Sequence, residues 1–284
     1  MGVHFNRMVI IGVGLIGGSL ALTCRRKGLA DCIVGVGRNR ENLKKAVEIG
    51  AIDEFYTEAK KAVIGADIII LCSPVGSFID ILRGIKDKIK KGSTLTDVGS
   101  VKGELVGMIE GIIPDGVYYI GGHPITGGER SGIEAVSSYM FDGALCILTP
   151  TSKTDMNALK VVRELWEVIG CRVTSMDPWL HDRIFAAVSH LPHIVAFALV
   201  NTVARLDAGR YLEYSGGGFR DTTRIASSSP EMWKDICMLN SNNTIEMIEL
   251  FEQELDMIKR SLQKKRWDLL IEKFVAAKKV RDGL

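Results

Sequence analysis

The sequence predicts an α/β protein: a doubly wound, mainly parallel sheet followed by an all-helical dimerisation domain. Three observations predict it. Short β-rich runs alternate with helical patterns up to Met176, a Gly-x-Gly-x-x-Gly turn joins the first strand to the first helix, and beyond Met176 the β signal stops. Strands alternating with helices imply βαβ units and right-handed crossovers.

The elements follow in order. Residues 8–14 (MVIIGVG) read as a strand and 17–28 as a helix ended by Gly28. Residues 32–37 form the next strand, followed by a helix over 41–49 that stops at Gly50. Further strands are expected at 66–74, 93–100, 117–123, 144–150 and 171–176. The unbroken apolar run from Ile68 to Cys72 suits a strand covered on both faces. Asp177 then caps a helix with Pro178 at its first position. The helical pattern runs to Arg205, with a kink expected at Pro192. A glycine-rich loop over 214–224 follows, and residues 228–233 open another helix. Near the end, Ile245, Ile248, Phe251, Leu255, Ile258 and Leu262 make a narrow apolar seam that packs on a neighbouring helix or on a second copy of the chain. The expected domains are therefore 1–176 and 177–284.

At 284 residues the chain has room for one or two domains. A hydrophobic share of 46% with 25% charged residues is that of a globular protein with a good core. The net charge of +2, with acids and bases interspersed, argues against a nucleic-acid footprint. Six scattered cysteines without a CxxC pair read as thiols in a reducing cytoplasm rather than a metal site or disulfides. The N-terminus lacks a signal-peptide pattern, and the most apolar later run, 194–200, is too short to span a bilayer. A cytoplasmic protein without membrane or metal partners is expected.

Gly12, Gly14 and Gly17 follow an apolar strand and open a helix, the Rossmann dinucleotide context. With Leu15 and Ile16 they would seat a pyrophosphate on the helix N-terminus. At the end of the second strand, where NAD-binding domains place an acid against the ribose 2′-hydroxyl, this chain has Gly37 followed by Arg38, Asn39 and Arg40. Two guanidiniums and no carboxylate favour the 2′-phosphate of NADP over NAD.

Three strand ends carry polar groups toward the expected crevice: Ser73-Pro74, Asp97 to Ser100, and His123-Pro124. Ser73, Pro74 and Asp97 are candidate cofactor contacts. A histidine beside a nicotinamide suits accepting an alcohol proton, because its pKa lies near working pH. His123 is thus the candidate base, with Ser100 placed to fix the imidazole or the substrate hydroxyl. His190 and His193 share a helix face, without the further ligands a metal site needs. Arg220 and Arg224 follow the triple glycine beside Asp221, where a guanidinium suits a substrate carboxylate.

The ordered motifs GVGLIGGSLA, TDVGSVKG, GGHPITGGERSG, VSHLPHIVAFAL and GGGFRDTTRIASSSPEMW closely resemble the prephenate dehydrogenase (cyclohexadienyl dehydrogenase) family of tyrosine biosynthesis, over nearly the whole chain. The resemblance implies oxidative decarboxylation of prephenate to 4-hydroxyphenylpyruvate and a homodimer formed through the helical domain. It implies that His123 is the base assisted by Ser100, that Arg224 binds substrate carboxylate, and that His193 meets the substrate side chain. His190, Glu129, Asp221, Ser228 and Trp233 match supporting positions of that pocket, with Trp233 in a place to reach across the dimer. The second histidine of SHLPH resembles the prephenate-using branch, while arogenate or dual use stays open. Two departures stand out: Gly37-Arg38 replaces the acid of NAD-using members, and Thr126-Gly127-Gly128 stands where many relatives have Ala-Gly-Thr or Ala-Gly-Ser. With no further domain in these residues, any tyrosine inhibition is expected at the active site. The rivals are a β-hydroxyacid dehydrogenase, disfavoured because residues 178–205 hold no lysine, and a non-catalytic NADP sensor in which His123 is dispensable.

Overall fold

Eight strands form one sheet in the order β3-β2-β1-β4-β5-β6-β7-β8 in the computed structural model, which describes residues 2–126 and 132–284. The strands are β1 Phe5–Ile11, β2 Ala30–Val36, β3 Glu54–Tyr56, β4 Ile68–Leu71, β5 Thr94–Asp97, β6 Tyr118–Ile125, β7 Leu145–Thr149 and β8 Arg172–Ser175. All neighbours pair in parallel except β6 with β7. The first six follow the doubly wound dinucleotide-binding order, whose chain reversal between β1 and β4 opens a crevice at the C-terminal strand ends. β3 escapes the sequence pattern because three half-buried residues show no periodicity.

Helices cover both faces. α1 (Leu15–Lys27) ends at Gly28, which takes a left-handed φ of 65° and returns the chain into β2. α2 (Arg40–Glu48) starts at Asn39, whose side chain accepts from the Glu41 and Asn42 amides. α3 (Ala59–Ala62), α4 (Phe78–Ile85), α5 (Gly103–Glu110) and α6 (Met156–Ile169) complete the layers. Two apolar cores result, one centred on Met8, Ile10, Leu20 and Trp166, the other on Val9, Ile69, Phe78 and Leu105. The alternation along β1 sends successive residues to opposite faces, so one strand feeds both cores.

After β8 the chain is helical. α7 (Pro178–Phe185) is capped by the Asp177 carboxylate, and α8 (Leu191–Ala204) follows through a π turn over Ala186–His190. Pro192 therefore widens the helix instead of breaking it, since a π turn relieves the clash of its ring with an earlier carbonyl. The continuous run Pro178–Ala204 is 27 residues long with a hydropathy of 1.6, enough by length and composition alone to cross a membrane, and longer than the apolar stretch read from sequence. Two of its polar residues, His181 and Asp182, are bonded to the sheet domain. α9 (Gly217–Thr223) and α10 (Pro230–Leu239) come next.

Strands give way to helices between Ser175 and Pro178, but packing divides the chain elsewhere. Met1–Asn240 form one compact unit and Ser241–Leu284 another. α7 and α10 belong to the first unit because they are bonded to the sheet domain: Asp182 on α7 accepts from the Lys102 and Gly103 amides, and Asp235 on α10 accepts from the Gly76 amide. The second unit is a helix pair, α11 (Ser241–Gln263) and α12 (Trp267–Arg281), tied by Lys273 to Glu254 at 2.9 Å. Along the predicted seam Ile248, Phe251 and Ile258 are half-buried while Ile245, Leu255 and Leu262 stay exposed.

Candidate active site

The crevice begins at the β1–α1 turn. Gly12 has a φ of 106°, and a Cβ there would lie 2.5 Å from the Cys72 carbonyl carbon and the Ser73 nitrogen. A Cβ at Gly17 would lie 2.1 Å from the Gly12 carbonyl oxygen, so only glycine lets α1 start this close to the strand. At Gly14, by contrast, no atom of the described residues stands within 4 Å of such an atom. Gly14 also caps α1 without a side-chain hydrogen bond, and the first turn, including the half-buried Leu15 and Ile16, holds no acid. Open space facing free amides at a helix N-terminus fits an anionic pyrophosphate.

Beside it, Arg38 is exposed at the end of β2 and joins no ion pair among the described residues. Asn39 is engaged as a helix cap, and the Arg40 guanidinium sits 5.9 Å from the centre of the Phe55 ring. Arg40, Phe55, Tyr56, Thr57, Glu58 and Lys61 line a cleft beyond the ends of β2 and β3. Ser73 lies at the β4 end, where its hydroxyl bonds Ser77, and Pro74 is exposed next to it.

Asp97 departs from its expected place among the cofactor contacts. Asp97 and Lys102 are both wholly buried. The Asp97 carboxylate accepts from Lys102 Nζ at 2.5 Å, the Gly99 amide at 2.6 Å, the Tyr119 hydroxyl at 2.6 Å and the Gly122 amide at 3.4 Å. Lys102 Nζ spends its other protons on the Gly99 and Val101 carbonyls. With every lone pair engaged inside the domain, this carboxylate braces the β5–α5 loop and leaves none for a ligand. The loop carries half-buried Ser100 at its turn.

His123 stands near the end of β6, 8% exposed. Its Nδ1 lies 2.8 Å from His181 Nε2, and His181 Nδ1 lies 2.8 Å from the Asp182 carboxylate. The same carboxylate accepts the Lys102 and Gly103 amides at the start of α5, both at 2.7 Å. Phe185 closes one side, its ring 4.8 Å from His123 and 4.5 Å from His181. Burial, together with the positive charge of Lys102 and the nearby histidines, pushes His123 well below the usual histidine range. Burial likewise lowers His181, against the opposing pull of Asp182. Of the two roles open to Ser100, fixing the imidazole belongs at Nδ1 to His181; among the described residues no hydrogen bond joins Ser100 to His123. In the sequence His181 and Asp182 read only as the start of a helix.

Farther along, His190 is buried in the π turn, and its Nδ1 is 3.2 Å from the Asn240 amide, which also donates to the Asp182 carbonyl. Burial lowers His190 to about 4. His193 is half-buried, donates from Nδ1 to the Ser189 carbonyl and stacks on Trp233 at 3.9 Å. Trp233 is buried within its own chain, against both histidines, rather than projecting away from it. Burial lowers His193, and the Arg224 charge is near enough to add to that effect. Arg224 and Asp221 are exposed, and Ser228 turns its hydroxyl onto the Ile225 carbonyl. His193, Trp233 and Arg224 thus come together, while Glu129 and the glycines 127–128 lie outside the described residues.

Comparison with known proteins agrees with this geometry. Residues 20–175 match the family described as prephenate dehydrogenase, nucleotide-binding domain, and residues 177–276 match prephenate dehydrogenase, dimerization domain. The chain is 33% identical to a prephenate dehydrogenase of Bacillus subtilis, over 98% of its own length and 76% of that protein's. It is 30% identical to a cyclohexadienyl dehydrogenase of Zymomonas mobilis, covering 99% and 96%. The crystal structure of prephenate dehydrogenase from A. aeolicus, in complex with hydroxyphenyl propionate and NAD+, superposes with a TM-score of 0.93 at 40% identity and covers 99% of each chain. A doubly wound domain with a buried histidine at a strand end, joined to helices that match across their length, places this chain in the prephenate dehydrogenase family, oxidoreductases that oxidatively decarboxylate prephenate in tyrosine biosynthesis.

Proposed function

We propose that the chain converts prephenate to 4-hydroxyphenylpyruvate and CO2 beside His123, with NAD(P) as oxidant, as a cytoplasmic homodimer. The observation that carries this reading is the His123 imidazole, anchored through Nδ1 and leaving Nε2 without a partner among the described residues. A bound nicotinamide supplies the hydride acceptor. His123 takes the hydroxyl proton at Nε2 as the ring carbon is oxidised. Loss of CO2 leaves the bond pair to close the aromatic ring, and His123 returns the proton to the phenolate oxygen. Ser100 holds the substrate hydroxyl, Arg224 pairs with a carboxylate, and His193, steadied on Trp233, meets the side chain. His190, Asp221, Ser228 and Glu129 support the pocket.

Gly12, Gly14, Leu15, Ile16 and Gly17 hold the pyrophosphate. Arg38 and Arg40, with Gly37 where an acid would stand, favour a 2′-phosphate, hence NADP; Asn39 orients the helix start, and Ser73 and Pro74 border the crevice. Gly14→Ala is expected to leave thermal stability unchanged, because its methyl meets no atom of the described residues, yet to weaken nucleotide binding at least about tenfold by filling the anion's space. Gly12→Ala should instead unfold at lower temperature, since it combines a positive φ with a backbone clash. A thermal melt paired with nucleotide titration separates the two.

The dimer reading rests on exposed apolar side chains of the C-terminal helix pair, among them Ile245 and Leu255 on α11 and Trp267, Ile271 and Phe274 on α12. Steady-state rates with prephenate and arogenate against NAD and NADP test the whole proposal, alongside a solution mass expected to be that of two chains. Prephenate with NADP should give the highest kcat/KM. Absence of turnover with every pair would remove the enzymatic reading, and faster turnover with NAD would reverse the assignment of Arg38.

A further inference from the structure

We infer that His181 and Asp182 form a positioning dyad that sets the tautomer of His123, so that its substrate-facing Nε2 is the unprotonated nitrogen. The inference deepens the proposed reaction and rests on it. The chain of bonds ends at Asp182. Both Asp182 oxygens accept backbone amides at the start of α5, one from Lys102 and one from Gly103. Amides only donate, and a helix N-terminus favours the anion, so Asp182 is a carboxylate and an acceptor. His181 must then carry its proton at Nδ1, the atom 2.8 Å from that carboxylate.

Burial keeps His181 neutral, which leaves its Nε2 with a lone pair and no hydrogen. The 2.8 Å contact between His181 Nε2 and His123 Nδ1 therefore needs the proton on His123 Nδ1. A neutral His123 has only one N–H, so Nε2 is left bare and able to accept. The orientation is fixed as well as the proton. Phe185 packs on both rings, and Asn240 holds the Asp182 carbonyl from the other side. When His123 takes the substrate proton, the cation donates to His181, whose own N–H faces the Asp182 charge. No proton need move along the dyad for this stabilisation to act. Both residues act through His123.

Side-chain 15N spectra of the 15N-histidine-labelled full chain at neutral pH, without ligand, report the tautomer directly. The expected result is an Nδ1–H tautomer for both His123 and His181. His181→Phe, which keeps a flat buried ring but offers no acceptor, should lose the single tautomer at His123 and lower kcat by about 10–100-fold, the value of one buried hydrogen bond. KM should change little. His181→Gln, whose amide oxygen can accept from Nδ1, should recover most of both readouts. A wild-type spectrum with the proton on His123 Nε2 would overturn the dyad even if turnover is normal. So would His181→Phe with an unchanged tautomer and kcat. Should His181→Phe fail to fold, the wild-type spectrum and the His181→Gln variant still decide. Failure of the proposed reaction looks different: no turnover with any substrate pair, with the tautomer intact.

Discussion

His123→Asn should cut kcat by about 10²–10⁴-fold, the usual contribution of a positioned general base. The loss corresponds to roughly 3–5 kcal/mol of transition-state stabilisation. Asparagine keeps a polar side chain near Nδ1 but has no basic nitrogen, so folding and nucleotide binding should survive. Turnover within a few fold of wild type would return His123 to a packing role and favour the non-catalytic reading. The pH profile offers a second check on the same residue. His123 must be neutral to accept a proton, and burial beside Lys102, His181 and His190 holds its pKa well below the ordinary histidine value. A lowered pKa keeps the base neutral as the solution is acidified. The acid limb of kcat/KM should therefore lie clearly below pH 6.5, the ordinary value for histidine; a limb at or above that value would contradict the buried environment.

Breaking the Asp97–Lys102 pair should be the most destabilising single change in the sheet domain. Both residues are completely buried, and the ammonium uses all three donors inside the β5–α5 loop. Lys102→Met removes the cation and leaves Asp97 charged in the interior, which costs about 3–5 kcal/mol. For a chain of this size that is on the order of 10 °C in melting temperature. The double variant Asp97→Asn with Lys102→Met removes the stranded charge and should regain part of the loss, because replacing both partners of a buried pair is far cheaper than removing one. Activity should fall as well, since the loop carries Ser100. Equal stability of the single and double variants would show that the pair is not coupled.

The base was readable: His123 sits in a strand-end pattern, and such ends in a doubly wound sheet face the ligand crevice. Asp97 occupies the same kind of strand end, five residues before Lys102, and nothing in its spacing distinguishes a ligand contact from an internal brace. Only the fold shows Lys102 turned back under the loop to meet it. His181 and Asp182 were invisible for a related reason. They open a helix of the later, all-helical segment, and the partner that gives them meaning is 58 residues earlier in the chain. The family resemblance puts Trp233 in a place to reach across the dimer; the structure buries it and stacks it on His193 of its own chain.

By itself the sequence determined what depends on local pattern: the alternation of strands and helices, the glycine turn, the missing acid after β2, and the apolar seam of α11. Each is set by periodicity or by a residue's own backbone freedom, so neighbours in the chain suffice. The tertiary structure alone decided which polar groups are spent inside the protein and which remain for a substrate. It also placed the division of packing after Asn240 rather than at the last strand. Hydrogen-bond satisfaction in a buried site is a long-range property, fixed by which side chains the fold brings within 3 Å of one another.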